Sequence, residues 1–242
     1  MPSYWFQPID LYCERTDPGF WSEPLNALSN ASFILAAGVA FLLWRRAGGR
    51  DVAGLWLIAA VAIVGTGSFL FHTFANRWSM LADVIPIAVF VYSYVVFALR
   101  RYLGLGWPAV LAATGAFALL DFNFARLWTA LFGDVTLNGS IRYLPAAMAL
   151  IIVGALCAIG GDRTERSRIA TRALFGAMAV FGVSLTFRSI DQEVCGTIPT
   201  GTHVLWHLLN GLVLFILIAA AIRVGPWERR DGDLRAAESR SR

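Results

Sequence analysis

Long apolar runs separated by short polar punctuation dominate this chain. Seven of them are long enough to cross a bilayer as helices, a task that takes about 17 to 25 residues: 25–44, 52–74, 80–99, 107–124, 143–159, 169–187 and 204–222. The pattern predicts an all-α integral membrane protein built as a seven-helix bundle. Asp121 interrupts the fourth run near one end and the sixth begins inside a charged stretch, so the limits of those two are the most open to movement. Polar punctuation also divides the chain into three parts. Residues 1–23 alternate acids with aromatics and carry Cys13, which reads as a segment folded against the outer face. They lack the apolar core of a cleavable signal peptide. Residues 24–224 form the membrane domain. Residues 225–242 mix Arg, Asp, Glu, Gly and Ser with little to bury, which predicts a disordered cytoplasmic tail.

Composition agrees. The chain is 57% hydrophobic and 15% charged, and its mean hydropathy of +0.62 lies well above the range of water-soluble domains. Every basic residue is an arginine, and their placement orients the bundle, because cytoplasmic segments collect basic residues. With the amino terminus outside, fifteen arginines fall on the inner side and five on the outer: Arg15, Arg77, Arg126, Arg142 and Arg188. The expected topology is therefore amino terminus outside, carboxyl terminus cytoplasmic. These anchors and the arginine-rich tail account for the net charge of +4, so no nucleic-acid partner is required.

The candidate chemistry lies in three histidines, the full complement of the chain: His72 near the end of the second run, and His203 and His207 at the start of the seventh. Imidazole at membrane depth is costly without a partner. Any one of them could hydrogen-bond a neighbouring helix, but the set as a whole points to metal. His203 and His207 sit at i and i+4 on one helix face. In the expected topology His72, Asp83, His203 and His207 all lie about one turn below the outer surface. Three nitrogens and a nearby carboxylate match the ligand supply of catalytic zinc sites. Zinc with an open position lowers the pKa of its water to about 7, and Asp83 is then placed to accept that water's proton or, more plainly, to orient a histidine. Ser68, at i−4 from His72, faces the same space and could donate to a developing oxyanion, although membrane serines often bond their own backbone. A site of this kind among apolar helices suits hydrolysis of a lipid amide or ester.

The amino-terminal carboxylates Asp10, Glu14, Asp17 and Glu23 are oxygen ligands of the type a hard cation such as calcium takes. Acids before a helix also stabilise its dipole with no metal at all. The topology puts Cys13 and Cys195 on one side of the membrane, where a disulfide could persist. Cys157, inside the fifth run, reads as a packing residue.

The pattern Ser68-x-x-x-His72, then Asp83, then His203-x-x-x-His207 resembles the alkaline ceramidase family, part of a wider superfamily of seven-helix zinc hydrolases that includes the progestin and adiponectin receptors. Asp10-x-x-Cys13-Glu14 and Glu23-Pro-x-Asn26-x-x-Ser29-Asn30 are similar to the ceramidase branch. The resemblance spans Asp10 to about Ile222. It implies cleavage of the amide bond of ceramide or a related N-acyl lipid, with zinc held by His72, His203 and His207 and with Ser68 and Asp83 catalytic. It further implies calcium at Asp10, Glu14 and Glu23, and a Cys13–Cys195 bridge. Two departures bear on calcium: one residue too many stands between Asp10 and Cys13, and Thr16 or Asp17 replaces a family asparagine. Compact loops and an all-arginine basic set resemble the bacterial members, which implies a bacterial inner membrane with the site toward the outer face. The competing expectation is a seven-helix receptor with a similar zinc site.

Overall fold

The structure, a computed structural model, describes residues 4–160 and 164–226. The tail expected to be disordered, residues 227–242, lies outside them, as do residues 1–3 and 161–163. The described residues form helices joined by short turns, and seven of the resulting segments are long and apolar enough to cross a membrane. The first is built from α1 (Pro24–Ser29) and α2 (Ala31–Arg46), which meet at Asn30 with its backbone still in the right-handed helical region. The others are α3 (Val52–Phe74), α4 (Arg77–Arg101), α5 (Trp107–Phe132), α6 (Leu144–Gly160, entered through a 3-10 turn at Ser140–Tyr143), α7 (Glu165–Ile190) and α8 (His203–Val224). This is an all-helical, multi-pass membrane protein.

The two ambiguous runs both prove longer than hydropathy alone predicts. α5 continues to Phe132 because Asp121 does not break it: Tyr92 on α4 donates a hydrogen bond to its carboxylate at 2.7 Å. α7 starts in the charged stretch because Thr164 caps it, accepting from the amide of Ser167. Large apolar side chains such as Phe122 (79% exposed) and Ile159 (84%) point outward, the arrangement expected of a lipid-facing surface rather than a watery one.

The two histidine-bearing helices are the most enclosed. Over their apolar windows α3 and α8 are each 56% buried, against 6% for α5. Their position follows from small residues at close approaches. A side chain at Gly67 on α3 would run into the backbone carbonyl of Ala82 on α4. That carbonyl has no helical partner of its own, because Pro86 stands four residues later and lacks an N–H. Gly67 and Pro86 together therefore bring Ser68 against Asp83. Gly211 on α8 abuts Ser32 on α2 in the same way, and Ser32 donates to the carbonyl of His207 at 3.0 Å. At the other end of the bundle, Arg101 forms a two-pronged pair with Asp51 at 2.6 Å on each arm, tying the end of α4 to the start of α3.

Candidate metal centre

The end of α3 and the start of α8 bring the three histidines together. Their ring centroids are 5.1 Å (His72–His203), 4.7 Å (His72–His207) and 4.5 Å (His203–His207) apart. Each ring offers a nitrogen, and these nitrogens lie within 4.8 Å of one another, close enough to hold one metal ion. All three residues are buried. The three histidines, brought to one level by span direction in the sequence reading, meet in space.

Hydrogen bonding sets which nitrogen two of the three rings present. His72 Nδ1 lies 2.6 Å from Glu23 Oε2, an acceptor when ionised, so Nδ1 carries the proton and Nε2 keeps its lone pair. His72 Nε2 is buried with no hydrogen-bond partner among the described residues. Burial alone would raise the Glu23 carboxyl, but the hydrogen bonds and charges of His72 and Arg15 outweigh it and hold the group below its ordinary value. For His207, Ser29 gives its single proton to the carbonyl of Asn26 and is left as an acceptor 2.7 Å from Nδ1, again freeing Nε2. His203 keeps a buried Nδ1 with no partner, and Tyr12 stacks on its ring at 3.7 Å. Unpartnered imidazole nitrogens are expensive in a dry interior. A bound metal removes that cost, so the residues fit the ion.

Asp83 and Ser68 belong to the same space. Both line one cavity with Tyr12, His203 and His207. Asp83 Oδ1 is buried and unpartnered, and Ser68 lines the cavity beside it, next to the close approach of α3 and α4 at Gly67. Beyond this polar end the cavity is apolar. Its wall on α8 runs through Asn210, Val213 and Leu217, with Phe90 and Tyr94 of α4 and Leu174 of α7 among the facing side chains. From His207 to Leu217 the helix rises about 15 Å. The Tyr94 hydroxyl is satisfied by Tyr102 at 3.0 Å and the Leu217 carbonyl at 3.3 Å.

Of the calcium candidates, Glu14 and Glu23 meet at Asn26, and Asp10 stands apart from them. Asp10 is exposed. Glu14 spends its two oxygens on the amides of Leu25 and Asn26, at 2.7 and 2.8 Å, where it caps the start of α1. Burial raises the Glu14 carboxyl above its ordinary value although those two amides pull it down. Glu23 accepts from Arg15 at 2.5 Å, from His72, and from the Asn26 side chain at 3.2 Å. The amino-terminal segment does reach the centre, through the disulfide between Cys13 and Cys195 (Cα–Cα 5.2 Å), while Cys157 is a buried free thiol.

Four residues around the centre carry little or no sequence signal. Asp191, fully buried, accepts from the amides of Thr202 and His203 with one oxygen (2.6 and 2.8 Å) and of Cys13 with the other (3.2 Å). It caps α8 from outside the helix and fixes where His203 begins. Gly201 sits at φ +65° against that carboxylate, where any side chain would collide. Tyr12 lies one position from the disulfide, and nothing in its spacing ties it to His203. Arg188 lies half-buried beside the rings of Tyr143, Trp206 and Tyr12 and donates to the carbonyl of Asn138. An acid four residues past the sixth run was the one cue available for Asp191.

These features define a multi-pass membrane protein with a buried tri-histidine centre at the polar end of an apolar cavity. The model of the Ceramidase family matches residues 13–234, nearly the whole chain, and the protein belongs to that family. No curated protein matches the chain.

The Glu23–His72 contact makes a direct prediction. Partners that orient a metal-ligating histidine typically change metal affinity about 10- to 100-fold when mutated. Glu23→Gln is expected to fall in that range, with zinc as the probe in a chelator competition. Ser29→Ala should fall less, because it removes a neutral contact rather than a charged one. Equal affinities for wild type and Glu23→Gln would show that the carboxylate does not act on the ring.

Proposed function

We propose that this protein is a zinc-dependent intramembrane amidase that hydrolyses ceramide or a related N-acyl lipid to a sphingoid base and a fatty acid. The observation that carries the reading is the junction of three buried, mutually facing imidazoles with Asp83 and Ser68 at the head of an apolar cavity, in a member of the ceramidase family. Three nitrogen donors suit zinc, which when bound supplies Lewis acidity and lowers the pKa of water to about 7.

The protein's own residues do the rest. The apolar wall from Phe90 to Leu217 takes the acyl chain and thereby sets the scissile amide beside the histidines. Asp83, with an unpartnered oxygen, receives the proton of the attacking water and returns it to the departing amine. Ser68 donates its hydroxyl to the oxygen on which negative charge develops. Glu23, Ser29 and Asp191 hold the three histidines in place, the last through the backbone of His203. Burial excludes bulk water, which strengthens each of these interactions. The arginine asymmetry supports a centre toward the outer face of a bacterial inner membrane. The family match favours hydrolysis over the receptor reading.

Purified protein should contain a single zinc per chain and release fatty acid from a fluorescent ceramide analogue. Zinc-loaded, monodisperse protein that leaves every N-acyl lipid in a panel of chain lengths intact would defeat the proposal.

A further inference from the structure

Arg15 lies in the middle of the acidic amino-terminal segment and is 7% exposed, unusual for an arginine. Four oxygens surround its guanidinium. Nε donates to Glu23 Oε1 at 2.5 Å, one terminal nitrogen to the carbonyls of Asp17 (3.1 Å) and Gly19 (3.3 Å), and the other to the carbonyl of His72 (3.1 Å). One carboxylate and three backbone carbonyls from three separate stretches of chain are the donor set that a hard divalent cation gathers. Here a permanently charged side chain gathers them. The remaining acids are engaged or remote: Glu14 is held by two amides, Asp17 accepts from the amide of Gly19 at 2.6 Å, and Asp10 is exposed, while the side-chain oxygens of Asn26 and Asn30 stay buried without a partner among the described residues. The four oxygens around Arg15 therefore do not fit a calcium ion in its place, since the space and the charge there are already supplied.

We propose that Arg15 is the built-in cation of the amino-terminal segment, replacing calcium and making the protein's stability and metal centre independent of it. The guanidinium neutralises Glu23 while leaving Oε2 for His72, and its second arm grips the backbone of the same histidine. Arg15 is thus a positioning residue for His72, acting from the side remote from the centre. Breaking a buried pair by removing one partner leaves the other charge uncompensated and is strongly destabilising.

The test uses full-length protein in detergent. After dialysis against metal-free buffer and then against millimolar calcium, wild type should hold no calcium above background by mass spectrometry, and its melting temperature should not move. Arg15→Ser empties the cage and should melt roughly 10 °C lower. Calcium should restore much of that loss and the retention of zinc, whereas magnesium, which demands a tighter octahedral shell, should not. Arg15→Lys keeps a cation in the cage and should stay indifferent to calcium. A calcium ion bound per wild-type chain, with a rise in melting temperature, overturns the proposal. So does a folded Arg15→Ser protein, disulfide intact, that neither binds calcium nor responds to it. Should Arg15→Ser fail to fold, wild-type stoichiometry and the Arg15→Lys response still decide.

Discussion

His207→Ala is expected to yield a folded protein that retains almost no metal and shows no measurable hydrolysis. Full ligand sets hold structural zinc with apparent free energies of about 10–16 kcal/mol, so losing one nitrogen of three forfeits on the order of 4 kcal/mol, roughly a thousandfold in retention. The fold should survive. His207 lies in the first turns of α8, and the deeper part of that helix packs through Val213, Leu217, Ile218 and Ala221, which remain. Removing a buried ring also removes a buried polar group that lacks its metal, which offsets part of the usual cost of about 2–5 kcal/mol for truncating a large core side chain. Metal per chain by mass spectrometry, alongside chromatography and a thermal melt, reads both halves of the expectation. A monodisperse His207→Ala protein with a full complement of zinc would mean that the histidines do not share an ion.

Hydropathy made the helical frame of this protein legible, because a bilayer leaves a chain few ways to satisfy its backbone. The same constraint made the site legible: three histidines at lipid depth need a partner, and span direction alone put them at one level with Asp83. What stayed hidden depends on contacts between segments far apart in sequence. Asp191 caps a helix that starts twelve positions later, across a turn whose geometry rests on Gly201. The extension of α5 depends on Tyr92 reaching Asp121 from the neighbouring helix. The amino-terminal acids illustrate the limit best. Their composition favours a cation, and the guanidinium of Arg15 lies among their oxygens. Residue type announces a charge balance; the identity of the balancing group is settled only by packing.

Asp83→Asn separates the two roles open to that carboxylate. The substitution preserves shape, so α3 and α4 should keep their approach at Gly67 and Ala82. The amide still hydrogen-bonds but takes up no proton. If Asp83 is the general base, kcat should fall about 10²- to 10⁴-fold, the range for losing such a group. Zinc content should stay at the wild-type level, because three imidazoles remain, and KM should change little, because the acyl chain is held by the apolar wall some distance away. Ser68→Ala, removing one donor to the developing oxyanion, should cost about 10²- to 10³-fold in kcat, also with metal retained. A different pattern carries a different meaning. Loss of zinc together with activity in Asp83→Asn would make the carboxylate a ligand rather than a base. Full activity would leave proton transfer without its acceptor, since no other acid lines the cavity among the described residues.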